Sequence, residues 1–212
     1  MRQINIHSVT DLYQLTKEEI TKAGKLLARA FYDDPVIEHY FPEHEERKRL
    51  SPCLWNFLLR DCIQYGEVYA PSKKIEGIAA WLPPKNVQMT TWRALKAGAI
   101  EVAWKFGWKR LKQMQNFVNY IDKIHQKHVI HCPHWYLITI GIDPQFQGSG
   151  FGSVLLKAMF NRLAREKIPI YLETQTEESM NIYTHLGFEI LHSGVVPGTE
   201  IQNWAMIWFP PE

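Results

Sequence analysis

Residues 136–165, YLITIGIDPQFQGSGFGSVLLKAMFNRLAR, constrain the fold more than any other stretch of the chain. Leu137, Ile138, Thr139, Ile140 and Ile142 form a short apolar, β-branched run of strand length. Asp143-Pro144 ends it, because proline has no N–H to give to a ladder. Gln147-Gly148-Ser149-Gly150-Phe151-Gly152 then places three glycines directly before a helical pattern. In that pattern Val154, Leu155, Ala158, Met159 and Leu163 share one face, with Lys157, Asn161, Arg162 and Arg165 on the other. Glycine lets the backbone bend sharply and approach a bound group. The first amides of a helix lack intrahelical partners and lie at the positive end of its dipole, so the turn suits a phosphate. It is not a Walker A loop, which needs Gly-Lys-Ser/Thr, and its glycine spacing is wrong for a dinucleotide fingerprint. Taken alone, the loop also allows a glycine-rich connection with no ligand.

A second segment narrows the choice. Gln147-x-x-Gly150-x-Gly152 after Ile142-Asp143-Pro144 resembles the acetyl-CoA loop of the GNAT N-acetyltransferase superfamily, whose pattern is Arg/Gln-x-x-Gly-x-Gly/Ala. Asn181-Ile182-Tyr183-Thr184-His185-Leu186-Gly187-Phe188 resembles the family's Asn…Tyr…Gly-Phe segment. Between them, Tyr171-Leu172-Glu173-Thr174 resembles a strand of puromycin N-acetyltransferase and its relatives. The resemblance covers residues 134–209 and is looser upstream. It implies an α/β (α+β) fold with a mixed, mostly antiparallel central sheet of about seven strands, helices on both faces, and a helical insertion before the central strand.

The same resemblance implies an enzyme that moves the acetyl group of acetyl-CoA to a primary amine by direct attack in a ternary complex. The cofactor arm would pair with the main chain of Ile140, Gly141 and Ile142. Its pyrophosphate would rest on the amides of Gln147, Gly148, Ser149, Gly150, Phe151 and Gly152, with Asn181 touching the arm. Asn181 could equally cap its short helix. Tyr183 is the candidate general acid, since a phenol is protonated at neutral pH; a core tyrosine is the alternative. Glu173 is the candidate base, because a carboxylate at the end of a buried strand is costly without a task; a structural carboxylate is its alternative. For the acceptor, Phe31, Tyr32, Asp33 and Asp34 combine aromatic faces and carboxylates able to hold an ammonium group, and Trp81 either joins them or fills the core. The expected acceptor is a small or medium, partly apolar amine. A transferase using another acyl-CoA and a non-catalytic acetyl-CoA-binding module stay open as alternatives.

Length and composition agree with one domain over residues 1–212, the insertion covering 85–130. A net charge of +2 is too small for a nucleic-acid footprint. Cys53, Cys62 and Cys132 are few and odd in number, as for reduced thiols in a cytoplasmic protein. No apolar run reads as a signal peptide or membrane span, so no membrane partner is expected, and a homodimer is compatible with the reading. His125, His128, His131, Cys132 and His134 have the ligand types zinc prefers, yet Pro133 and a helix end interrupt them, and no metal is expected.

Upstream, residues 3–9 alternate as a first strand, and Thr16 with Glu19 forms a capping box for a helix ending near Phe31. A second helix is expected over 45–64, then a hairpin of 66–70 and 75–82. Residues 89–128 are helical by pattern, divided at Gly107, with a basic face read as solvated rather than membrane-bound. Strands at 168–174, 188–195 and 201–209 and a helix at 178–186 complete the chain.

Overall fold

The computed structural model describes residues 8–211, and within them the hydrophobic patterning resolves into one twisted sheet with helices on both faces. Its strands are β1 (Tyr13–Gln14), β2 (Glu67–Ala70), β3 (Gly77–Leu82), β4 (Trp135–Ile142), β5 (Ile170–Thr174), β6 (Glu189–Val195) and β7 (Gln202–Trp208). The order is β1-β2-β3-β4-β5-β7-β6, antiparallel except for the central β4–β5 pair. The fold is therefore the mixed, mostly antiparallel one expected from sequence.

Local signals explain most boundaries. Thr16 and Glu19 cap each other's backbone, opening a 3₁₀ turn that continues into α1 (Ile20–Ala30). Asp33-Asp34-Pro35 does more than end that helix: Asp34 caps a short unforeseen helix, α2 (Pro35–Tyr40), accepting from Val36 N at 2.9 Å. Helix α3 (His44–Tyr65) is as expected to within a residue. The strand expected at residues 3–9 lies largely outside the described residues, and Val9 opens a 3₁₀ turn instead. The edge is β1, paired through Tyr13 with Ala70.

The stretch between β3 and β4 holds three helices rather than two: α4 (Thr91–Ala97), α5 (Ala99–Phe106) and α6 (Trp108–Val129). Gly98 as well as Gly107 breaks it, at φ of 104° and 76°, a region glycine enters without penalty. A buried ion pair fastens this segment to α3. Arg93 donates from Nε to Asp61 at 3.0 Å and through its second nitrogen at 2.5 Å, and also to the carbonyls of Asn86 and Gln88. Arg93 is thus buried, not part of the solvated basic face expected from sequence.

Alternation along the strands divides the core. Val68, Ala70, Ile78 and Ala80 face α1 and α3. Tyr69, Ala79, Trp81, Leu137 and Leu172 face α7 (Phe151–Glu166). On the α1 side a Cβ on Gly141 would stand 2.8 Å from both Leu27 and Phe31, so that glycine lets α1 lie close on β4. Helix α8 (Glu177–His185) follows β5 and ends where Gly187 takes a φ of 89°, the expected C′ position.

Removing one partner of a buried, hydrogen-bonded ion pair leaves an uncompensated charge. Asp61→Ala should cost about 3–5 kcal/mol, read as a lowered midpoint in denaturant unfolding.

Candidate active site

Asp143, the residue that ends β4, is buried and ion-paired to Arg29 of α1. It also caps the 3₁₀ turn Pro144–Phe146 that leads into the glycine loop. Gln147 folds back, its Nε2 donating to the Ile142 carbonyl at 3.3 Å. Gly148 and Gly150 have φ of 76° and 82°, and a Cβ on either would meet nothing within 4 Å. The glycines are required by backbone conformation, and they face open space. No side chain caps the N-terminus of α7, which begins at Phe151. The Gln147 and Ser149 amides already donate within the loop, to the carbonyls of Pro144 at 3.4 Å and Phe146 at 3.3 Å, so the cradle that fits a phosphate is made by the remaining loop amides and the first amides of the four-turn α7.

The loop follows the place where the sheet opens. Strands β4 and β5 pair only through Trp135–Ile170, Tyr136–Tyr171 and Leu137–Leu172. Beyond Leu137, β4 continues to Ile142 beside β3 alone, while β5 continues to Thr174 beside β7 alone. The main chain of Ile140, Gly141 and Ile142 therefore borders a gap on its β5 side.

Glu173 stands at that gap on β5. Tyr136 and Tyr171 both donate to its carboxylate, Tyr171 at 2.7 Å. Burial pushes the Glu173 carboxyl up to about 7, against the opposing pull of the two phenol donors. Burial also raises both phenols, so they stay protonated donors. Behind them, the His125 ring stacks on Tyr136 at 5.6 Å. His125 and His134 meet through their Nε2 atoms at 2.9 Å, and His134 Nδ1 lies 2.6 Å from the Cys132 carbonyl. A carbonyl can only accept, so His134 carries its proton on Nδ1 and His125 donates to its Nε2. Burial lowers both histidines, His125 to about 4, which keeps the pair neutral. No group of three or more metal-ligating side chains occurs among the described residues.

Tyr183, on α8, packs on the opposite, α7 face of the sheet, edge-on to Phe188 at 5.4 Å. Burial raises its phenol, and its hydroxyl has no hydrogen-bond partner among the described residues. Asn181 is exposed in the same helix and does not cap it; Thr176 does, accepting from Ser179 N at 3.2 Å.

The acceptor candidates separate. Phe31 packs on Trp55 at 4.7 Å. Tyr32 bonds His44 at 2.8 Å under the Arg47 guanidinium, and Asp33 is exposed, 3.9 Å from Arg47. Asp34 is occupied as a helix cap. Trp81 is 1% exposed in the core on the α7 face, on the other side of the sheet from Phe31. An open cleft of about 840 Å³ instead lies between α2 and the loop joining β6 to β7, beside the end of β5. Pro35, Glu38, His39, Gln175 and Glu200 line it. Sequence reasoning missed Glu38, Gln175 and Glu200, and also the phenol clamp. Period-two spacing puts Tyr171 on the Glu173 face, but the register that adds Tyr136 is tertiary.

Comparison with known proteins agrees with this geometry. The FR47-like protein family model matches residues 126–195, which include β4, the glycine loop, β5 and α8. An uncharacterised N-acetyltransferase of Schizosaccharomyces pombe is 26% identical over 178 residues, covering 81% of this chain and 71% of the relative. The chain spans only 20–21% of the length of further curated relatives it matches. Among solved structures, a histone acetyltransferase HPA2-related acetyltransferase from Corynebacterium glutamicum superposes with a TM-score of 0.61 at 20% identity, covering 95% of this chain and 96% of that one. A Drosophila melanogaster polyamine N-acetyltransferase does so at 0.58 and 14% identity, covering 93% and 98%. The matching family model, the N-acetyltransferase relative and the shared fold support the GNAT N-acetyltransferase superfamily and an acetyltransferase enzyme.

Proposed function

We propose that the protein transfers the acetyl group of acetyl-CoA to the primary amine of a small or medium, partly apolar acceptor. The observation that carries this reading is the opening between β4 and β5, with the uncapped glycine loop at one end and the half-buried Glu173 carboxyl at its side. Gly148 and Gly150 leave room for a pyrophosphate, and the free edge of β4 from Ile140 to Ile142 can take an extended amide-bearing arm like an added strand. When bound, acetyl-CoA supplies the acyl carbon and a thiolate leaving group.

The chain's own residues would handle the protons. An amine attacks only when neutral, so a base must take a proton from the incoming ammonium. Glu173, poised near neutrality and held by Tyr136 and Tyr171, suits that task directly or through one water. Tyr183 keeps its proton over the whole neutral range and can give it to the departing thiolate. Base and acid belong to opposite faces of the sheet, so a thioester lying in the opening would have amine and base on one side and the acid on the other. On the acceptor side, Glu200 lines the cleft and is able to hold an ammonium before its deprotonation, while Glu38 beside it is paired with Arg47 at 2.8 Å. The polyamine acceptor of the Drosophila fold neighbour is of the same chemical class.

Gly150→Val forces a β-branched residue to a φ of 82°. It should weaken acetyl-CoA binding by at least about tenfold in calorimetry, since the strained loop loses its cradle; retained affinity would contradict the loop assignment. Tyr183→Phe should lower turnover by about 10²- to 10⁴-fold in a thiol-release assay across an amine panel while sparing acetyl-CoA affinity. Unchanged turnover would remove Tyr183 from the acid role.

The pH profile follows from the raised Glu173 carboxyl. The group is a base only when ionised, so kcat/KM should climb with pH through about 7 and level off above it. Glu173→Gln should remove that ascending limb as well as lower the rate. A limb that persists in Glu173→Gln assigns the titration to another group.

A further inference from the structure

The three helices between β3 and β4 leave an unexpected surface. Trp92, Leu95, Ile100 and Trp104 occupy apolar positions of a helical pattern that sequence alone would bury. In the structure Trp92 is 65%, Ile100 72%, Trp104 85% and Trp108 81% exposed. The inward faces of the same helices explain this: Arg93 and Ala97 of α4 and Val102 and Phe106 of α5 are the buried positions, with Phe106 edge-on to Phe41. The outward faces carry Trp92, Leu95 and Lys96 on α4, Ile100 and Trp104 on α5, and Trp108, Lys109 and Lys112 on the first turns of α6, at helical spacing. Soluble proteins rarely expose so many large apolar groups together without a partner.

Charge selects the partner. Residues 89–119 hold six basic side chains and one acid, Glu101. Arg93 pairs with Asp61, Arg110 with Glu46, and Lys105 shares Glu101 with Arg60. Lys96, Lys109 and Lys112 are exposed and have no carboxylate partner among the described residues. Lys96 Nζ lies 5.3 Å from the Trp92 ring centre. Indoles prefer the boundary between a wet and an apolar phase, and lysines interleaved with them can extend their ammonium groups to phosphates while their stems stay apolar. A second copy of this chain related by a two-fold axis would bring the same lysines together with no acid to answer them. A nucleic acid would answer the lysines but offers no apolar phase for Leu95 and Ile100.

We propose that this face seats the protein on an anionic lipid surface, with Trp92, Trp104 and Trp108 at headgroup level and Lys96, Lys109 and Lys112 on the lipid charges. No helix among the described residues is long and apolar enough to cross a membrane, so the contact is peripheral. The proposal is independent of the acyl-transfer reading.

The test is sedimentation of the 212-residue protein with phosphatidylcholine vesicles, plain or carrying about 30% phosphatidylserine. Binding is expected only to the anionic vesicles, with a blue shift of tryptophan emission and release by salt. Trp104→Ser with Trp108→Ser, and separately Lys109→Glu with Lys112→Glu, should each weaken vesicle affinity by roughly tenfold or more. Thermal midpoint should be unchanged, because these side chains stand in solvent. No binding to anionic vesicles, or binding that both double variants leave intact, overturns the proposal. So does a concentration-dependent dimer that Trp104→Ser with Trp108→Ser dissolves, found in place of vesicle binding.

Discussion

Two central strands that share only three residue pairs are the constraint on which the rest of the site depends. Each is fully committed on its far edge. β4 follows β3 as far as the Gly77–Ile142 pair, and β5 follows β7 to the Thr174–Trp204 pair. Helix α1, seated on Gly141 and tied through Arg29 to Asp143, holds the free end of β4 in place. Beyond Leu137 and Leu172 each strand keeps only its outer neighbour, so the pair divides and leaves backbone groups of β4 facing a gap. Such groups are costly unless paired, and an extended ligand with alternating amides meets the need that a missing strand leaves. The glycine loop directly continues β4, so the phosphate cradle and the gap are set by one strand.

The same division sets the electrostatics. Glu173 is on the part of β5 that no longer has β4 beside it, yet its face is covered by Tyr171, Tyr136 and the His125–His134 pair. Burial raises its carboxyl, and two phenol donors partly offset the rise, which leaves it close to neutrality rather than permanently protonated. The histidine pair contributes by staying uncharged. A protonated His125 stacked on Tyr136 would place a positive charge near the carboxylate and pull it back toward its ordinary range.

How much of this the sequence revealed depends on the range of the interaction. The glycine loop, the capping box at Thr16 and the helix end at Gly187 are set by residues within a turn of one another, and they stand where sequence places them. Glu173 is legible as a strand-end carboxylate, but its clamp needs the Tyr136–Tyr171 register, which no local pattern encodes. Trp81 shows the same limit. Its aromatic character suits a pocket equally well as a core, and only the alternation of β3 against α7 assigns it to the core. Arg93 misleads in the opposite direction, because a basic residue on an amphipathic helix reads as solvated until Asp61, on another helix, is found opposite it.

The segment between β3 and β4 serves both ends of the molecule, and its length keeps them apart. Helix α6 begins at Trp108 in the exposed aromatic face and reaches His125 behind the Glu173 clamp. At about 1.5 Å of rise per residue, those two positions are roughly 25 Å apart along the axis. None of the three tryptophans is among the residues that line the acceptor cleft, so their exposure is not explained by it. The anchors Arg93–Asp61 and Arg110–Glu46 fix the segment to α3. An outer face held this rigidly can meet a flat charged surface without the rearrangement that would disturb the opening between β4 and β5, so surface attachment and chemistry are separable properties of one fold.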